Sequence, residues 1–506
     1  MKKQSKVLAL LLACVMVLGL TACAGDKKST DADKNTSSAG TSTVESTPST
    51  EDDNNEPATP GEIVNIKWAM VGNGMPDNYD AWKAKMDEYL GEKIGVHIDM
   101  EVVSWGDWDN RRNVIVKTGG DYDILFTNGG TYNTDVASNA FADLTELLET
   151  ESPALYNMIP AEYWDAARVD GKIYAVPTYK DSSQSEFIVW DSELVKELDI
   201  DAASITTLEG LTEPLQKIKD HLNATALPMD KNGAEWVIYQ YDQMSAGLPA
   251  IGVRFNDEKA KVVPVLEQED VMKNLELLHD WYTKGIINSD AATLPEAPKY
   301  RPVQVAQGWA GAAKTTWGPN MGKEAEAYQW GPTVVSNDTV RGSLNAISAG
   351  SKNPAKALQF LEVVNTDTYV RDSFYYGLEG DDWVYAEDGR IHRNNENWTM
   401  AGYTQATFFN VTQTDKEEVN QWDEVKALNE NAEPSILLGF TFDTKKVADQ
   451  LANCIQIYQR YKGEIFTGTI DPAEGVPSMM QEMRDAGFDD ILAEAQTQVD
   501  AFMAKK

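Results

Sequence analysis

The chain predicts an α/β architecture in two domains, on three observations. Its body opens with strand and helix patterns in strict alternation, and that rhythm restarts from about Phe187. About 446 residues follow from Gly61, more than a single hydrophobic core ordinarily holds.

Ile63 to Val71 alternates, with Val64, Ile66, Trp68 and Met70 on one side, and reads as a strand. Asn73-Gly74-Met75-Pro76 is a loop, and Asp77 or Asn78 can cap the helix after it. Tyr79, Trp82, Met86 and Tyr89 recur at helical spacing, so they share one face. Val96, Ile98, Met100 and Val102 alternate again. A Trp-bearing polar turn, a short helix near Asn110 to Lys117 and the segment Tyr122 to Phe126 complete β-α-β-α-β. Strands joined through single helices run parallel with right-handed crossovers, and ligands of such sheets sit beyond the carboxyl ends of the strands. The loops that matter are therefore 72–78, 104–109 and 127–132.

Phe187 to Trp190 begins the second series, with a helix from Asp191. Helices are predicted around Leu211 to His221 and Val271 to Lys284, strands and turns over Gln329 to Ser351. Pro354 to Asn365 reads as a helix with Asn353 as cap and proline at its first position. The last 70 residues are helical, with three/four periodicity over Thr444 to Tyr461 and Gly487 to Met503. There is no internal repeat.

The amino terminus is a targeting segment. Lys2, Lys3 and Lys6 precede an apolar run, Val7 to Leu20, that is short of the roughly 20 residues of a spanning helix. It ends in Leu20-Thr21-Ala22-Cys23, which resembles a lipobox and implies a signal peptide over 1–22 with Cys23 as the acylated first residue. Residues 24–60 contain no Leu, Ile, Phe, Tyr or Trp, cannot offset their ordering entropy by burial, and read as a polar tether from 23 to 60. Asp31, Asp33 and Asn35 imitate the start of a calcium loop but lack its later glycine and glutamate.

The formal charge is −36, and loss of the three leader lysines carries it to −39. With no basic block to offset it, nucleic acid is excluded as a partner. Cys14 lies in the leader and Cys23 at the lipobox, so Cys454 has no partner and reads as a buried helix thiol.

Several segments resemble the family 1 extracellular solute-binding proteins, the maltose-binding-like group. Tyr122-Asp123-Ile124-Leu125-Phe126 resembles its third strand and Phe141-Ala142-Asp143-Leu144-Thr145 the helix that follows. Asp170-Gly171-Lys172-Ile173-Tyr174-Ala175-Val176-Pro177 resembles the approach to the first hinge, and Ala346-Ile347-Ser348-Ala349-Gly350-Ser351-Lys352-Asn353-Pro354 a late return between domains. Tyr376-Gly377-Leu378-Glu379-Gly380 and Gly439-Phe440-Thr441-Phe442-Asp443-Thr444 are similar to the LipO-like lipoprotein subgroup. The resemblance spans 61–503. It implies a two-lobed periplasmic-binding-protein fold of type II, each lobe discontinuous in sequence. The expected first lobe is 61–180 with about 315–345; the second is about 181–314 with 346–506. Crossings are expected near 177–186, 312–318 and 345–353. It further implies a monomer that captures a carbohydrate, an oligosaccharide in this group, and delivers it to ABC permease subunits, tethered to the outer face of the cytoplasmic membrane by its lipid.

A sugar site needs aromatic plates and side chains with paired donors and acceptors. Of 14 Trp residues, Trp68, Trp82 and Trp281 fall on apolar faces and are assigned to cores. The candidate ligand-binding set is Asn73 and Asp77 after the first strand, Trp105 and Trp108 after the second, and Asn128, Gly129 and Tyr132 after the third. Tyr179 and Lys180 are added at the first hinge, Trp317 at the second, and Glu379 and Trp383 in a Gly/Asp loop of the second lobe. Packing is the ordinary use of any one of these aromatics.

Catalytic patterns are missing. His97, His221, His279 and His392 have no metal-ligand spacing, there is no G-x-S-x-G, and Gly318-Pro319-Asn320-Met321-Gly322-Lys323 is one residue short of a phosphate loop. No cofactor and no metal is expected. The alternatives carried forward are a receptor presenting ligand to a membrane sensor, a surface-tethered glycoside hydrolase, and another cargo on the same fold.

Overall fold

The computed structural model describes residues 63–119, 122–398 and 400–506. All belong to one compact unit, Thr59–Lys506; the other unit, Met1–Ala58, lies outside the described residues, as do the expected leader, Cys23 and tether.

The opening alternation is borne out. β1 (Val64–Gly72), α1 (Tyr79–Ile94), β2 (Val96–Ser104), α2 (Trp108–Thr118) and β3 (Ile124–Thr127) follow in order. β1 pairs in parallel with β2 over nine residues, from Val64↔Val96 to Gly72↔Ser104, and with β3 on its other side. Trp82 on α1 is buried, donates its indole N–H to Ser373 O at 3.0 Å, and meets Phe374 edge-on at 4.8 Å. Short helices and a hairpin lead to β4 (Ala175–Pro177), the edge strand of this sheet.

The chain then leaves through β5 (Gln184–Asp191), the central strand of the second lobe. α3 (Leu208–Leu222) and α4 (Glu269–Thr283) pack with it into a core that includes Trp190, Leu211, Leu275 and Trp281. β6 (Val303–Gln307) and β7 (Ala325–Val335) flank β5, both antiparallel to it.

β8 (Leu344–Ile347) returns to the first lobe, where it lies between β3 and β4, antiparallel to both; the sheet order is β2-β1-β3-β8-β4. α5 (Pro354–Thr366) and α6 (Thr368–Tyr376) cover that sheet, burying Phe360, Leu361 and Phe374. Gly377 ends α6 at φ 100°, where a Cβ would run into the Asp382 carboxylate and the Trp398 ring. α7 (Gln421–Glu430) follows, then the two-residue strand β9 (Glu433–Pro434) beside β7. Three helices, α8 (Ala448–Phe466), α9 (Pro472–Asp485) and α10 (Phe488–Met503), finish the second lobe and bury Cys454.

The expected division of the late chain is corrected. Residues 325–335 stay in the second lobe because β7 pairs with β5 from Ala325↔Asp191 to Val334↔Gln184. β8, α5, most of α6 and the residues Trp398, Met400 and Ala406 pack into the first-lobe core, not the second, while Tyr376, Trp383 and Ile391 form a smaller cluster with Phe408, Val411, Trp422 and Val425. The crossings therefore run near 178–184, 335–343 and 429–436. Residues 312–318 form a helical turn against Phe187 within the second lobe, and 345–353 leaves β8 inside the first.

The three crossings lie side by side. Val334 is in register with both Gln184 and Glu433, and Val335 with Pro434. Ser183 donates through N–H and hydroxyl to Asn429 Oδ1, at 3.1 and 2.8 Å. Arg341, fully buried, pins the second crossing to the first lobe by donating to Ala166 O at 2.7 Å and Arg168 O at 2.8 Å.

Candidate functional site

The ends of β1, β2 and β3 converge on an aromatic and polar surface of the first lobe. Trp105, just past β2 and 51% exposed, donates its indole N–H to Asn73 Oδ1 at 2.8 Å. Its ring faces Tyr403 nearly parallel, 14° apart in plane and 6.2 Å between centroids. Beside Tyr403 stands the Lys180 ammonium, 5.7 Å from the ring centroid and 2.7 Å from Asp181 Oδ1. Past β3, Asn128 Oδ1 accepts from Gly130 N at 3.0 Å, and Gly129 N donates to Arg341 O at 2.7 Å.

The loop that carries Tyr403 is held by Arg371, which is fully buried. Its guanidinium donates to Thr407 O (2.6 Å), Gln405 Oε1 (3.2 Å) and Gly402 O (3.1 Å) and lies over the Tyr375 ring at 5.2 Å. Burial lowers its pKa to about 10. A cation without a hydrogen-bonded carboxylate is costly in an interior, so here it serves as a rigid three-way donor to one loop.

Two cavities flank the crossing strand. One, of about 210 Å³, is lined by Asp181, Ser183, Gln307, Trp309 and residues of α7; the other, of about 330 Å³, by Gln184, Trp236, Tyr239, Gln243 and Asp338. Ser183 faces the first and Gln184 the second, as alternation along an extended chain requires. Trp309 follows β6 in the sequence Gly308-Trp309-Ala310-Gly311. Glu424 on α7 fixes that loop, accepting from Ala310 N at 2.7 Å and Gly311 N at 2.9 Å. The Trp309 ring lies 5.8 Å from Trp422, which stacks on Phe408 at 4.3 Å. Burial raises the Glu186 carboxyl above the usual range, and the Gln184 amide, donating at 2.8 Å, opposes that shift.

Of the residues singled out from sequence, Asn73, Trp105, Asn128, Gly129 and Lys180 stand at the strand ends. Trp317 lies against Gly308 and Phe187, beneath the Trp309 loop. Asp77 is exposed, and its neighbour Asn78 instead of Asp77 reaches Asp381 and Asp382. Four residues turn inward. Trp108 is 6% exposed because it opens α2 and packs on Phe126. Tyr132 is 0% exposed and donates to Ala167 O at 2.7 Å. Tyr179 is 4% exposed, wedged edge-on against Tyr163 and Phe409, and borders a separate cavity of about 620 Å³; burial, with Glu430 and Glu162 nearby, pushes its hydroxyl up to about 12. Trp383 is 0% exposed and donates to Gly377 O, in a hairpin attached to the first lobe. Glu379 is tied up on the flank of α1, 2.7 Å from Lys85 Nζ and 3.2 Å from the Tyr369 hydroxyl. Trp309, Tyr403, Gln184, Trp236 and Trp422, which the sequence does not single out, also line these surfaces. The signal for Trp309 was available: a Trp among glycines directly after a strand.

Among the described residues no group of three or more His, Cys, Asp or Glu could hold a metal ion, and no helix is long and apolar enough to cross a membrane. The arrangement offers aromatic faces interleaved with amides, carboxylates and a lysine, which suits a polar ligand with apolar faces.

The family described as bacterial extracellular solute-binding protein matches residues 85–376, and a domain family of unknown function matches 436–504. A carbohydrate ABC transporter substrate-binding protein of Streptococcus pneumoniae serotype 4 is 27% identical over 477 residues, 89% of this chain and 93% of its own. The crystal structure of the N-glycan transport solute-binding protein NgtS from Streptococcus pneumoniae superposes with TM-score 0.79 at 27% identity, covering 87% of this chain and 100% of that one. NgtS in complex with Man5GlcNAc gives TM-score 0.65 at 27% identity over 87% and 99%.

Proposed function

Because the chain belongs to the bacterial extracellular solute-binding protein family, we propose that it captures an oligosaccharide between its lobes and delivers it to the permease of an ABC importer. The observation that carries the reading is the aromatic strip on both lobes, Trp105 and Tyr403 on the first and Trp309 on the second, joined across the crossings by Lys180 and Asp181. Aromatic faces stack on sugar C–H surfaces, and amides and carboxylates take the hydroxyls. Two lobes on a common hinge bury such a ligand by closing, each lobe providing half the contacts.

The relatives favour the same cargo class, since one is a carbohydrate transporter component and another is an N-glycan transport protein crystallised with Man5GlcNAc. The chain matches NgtS better in the structure where no glycan is named than in the Man5GlcNAc complex, 0.79 against 0.65. The protein acts as a monomeric binding subunit without chemistry of its own, anchored through Cys23 to the outer face of the cytoplasmic membrane, with 23–60 as its leash.

The test is calorimetric titration with Man1GlcNAc and Man5GlcNAc. A cognate glycan at about 100 times its Kd stabilises the protein by about 2.7 kcal/mol. Trp309→Ala and Trp105→Ala each weaken binding at least about tenfold, or about 1.4 kcal/mol. Unchanged affinity in both variants, or cleaved glycan in the cell, refutes the reading.

A further inference from the structure

We propose that a pocket on the first-lobe side of α7 is an outer subsite for a neutral sugar ring, so that the protein reads the length of its cargo; this rests on the oligosaccharide reading above. The pocket encloses about 220 Å³ and is walled by the rings of Tyr375, Tyr376 and Trp422, with Arg393, Glu396 and Gln421 at its rim. Its volume nearly equals the 210 Å³ of the hinge cavity lined by Trp309.

The two cavities are neighbours on one helix. Gln421 and Trp422, at the start of α7, line the outer pocket, and Val425 and Leu428, one and two turns on, line the hinge cavity. The Trp422 and Trp309 rings, one from each cavity, are 5.8 Å apart. Tyr375 belongs to the outer pocket while its hydroxyl feels the charge of Asp181 in the inner one. Across the lobes, the Thr315 hydroxyl donates to Gln421 Oε1 at 3.3 Å. A chain of sugars seated against Trp309 thus meets a second ring-sized space at the amino end of α7.

The chemistry of the walls selects the occupant. Tyr376 and Trp422, 4% and 8% exposed, give the pocket a small apolar floor, and the Arg393 guanidinium lies 5.8 Å from the Tyr376 centroid while pairing with Glu396 at 2.8 Å. That pairing leaves further guanidinium donors and carboxylate acceptors, the combination that adjacent sugar hydroxyls require. Against the cations Arg393 and Lys416 stand three carboxylates, Glu396, Asp415 and Glu417, so an acidic sugar or a phosphate meets a negative wall. A neutral hexose does not.

The experiment is titration of the whole chain and of Gln421→Ala and Arg393→Ala with Man1GlcNAc and Man5GlcNAc. Gln421 lies at the first position of α7 and carries no core packing, so its variant tests the pocket even if Arg393→Ala folds poorly. The expected result is a loss of about tenfold or more for Man5GlcNAc, about 1.4 kcal/mol, with Man1GlcNAc unchanged. Equal losses for both glycans place these residues in support of the hinge cavity and overturn the proposal, as does no loss for either. Wild-type protein that binds Man1GlcNAc and Man5GlcNAc equally well also overturns it, leaving the oligosaccharide reading intact. Wild-type protein that binds neither removes that reading and this one together.

Discussion

Asp242 provides a test of how the second lobe holds the third crossing. It is buried, accepts from Met244 N at 2.8 Å through Oδ1, and accepts from the Ser435 hydroxyl through Oδ2, one residue past β9. Burial is the largest influence on it and raises its pKa from 3.8 to about 6; the bonds from Ser435 and Met244 oppose this, Asp338 adds to it and Arg341 subtracts. The native state therefore keeps this proton to a higher pH than the unfolded chain does. Its contribution to stability is whole below about pH 3.8 and is lost as pH rises through about 6. At about 1.4 kcal/mol per pH unit, that gap is worth about 3 kcal/mol. Asp242→Asn has no proton to lose. In urea denaturation followed by tryptophan fluorescence from pH 4 to 7.5, stability of the variant relative to wild type should climb by about 3 kcal/mol across that range. Asp372, also raised to about 6 by burial, remains in both proteins and cancels in the comparison. A difference that does not change with pH, or that moves in favour of wild type as pH rises, refutes the reasoning.

Arg371→Met deprives Gly402 O, Thr407 O and Gln405 Oε1 of their donor and should weaken glycan binding about tenfold by releasing Tyr403. The loss should largely vanish in a Tyr403→Ala background, and a fully additive double variant would show that Arg371 acts elsewhere. In detergent phase partitioning of the cell-expressed protein, wild type should enter the detergent phase and Cys23→Ala the aqueous phase; identical partitioning removes the lipid anchor.

The elements whose pattern is local were legible. β1, α1 and β2 each carry an unbroken period, and Trp68 and Trp82 sit in the core where that period puts them. β8 was legible as a strand but not as a first-lobe strand. All four of its residues are buried, and its partners Thr127 and Pro177 are distant in sequence, whereas β7, just before it, belongs to the other lobe. Site residues divided in the same way. Trp105 follows its strand and stays out, while Trp108, three residues later, is caught in the first turn of α2 and rotated inward. Tyr179 and Lys180 are neighbours on an extended segment, so one faces the hydrophobic wedge and the other the cleft, and composition does not say which. The Gly/Asp surroundings of Trp383 suggested an open loop, but pairing of Trp383 with Arg393 folds it into a hairpin whose ring is enclosed. Trp309, between glycines, has the more telling neighbourhood, whereas Trp317 is held against Phe187 within the second lobe.

The insertion of β8 between β3 and β4 has a bearing on biosynthesis. A nascent chain that has reached residue 335 already contains β5, β6 and β7, yet its first sheet still has a gap with two open edges facing it. Neither half can finish early, because the second in turn waits for α8 to α10 at the very end. Contacts this far apart in sequence make assembly slow. Delay of that kind suits a polypeptide threaded across a membrane before it folds, since the order of its segments postpones compaction until nearly the last residue has arrived.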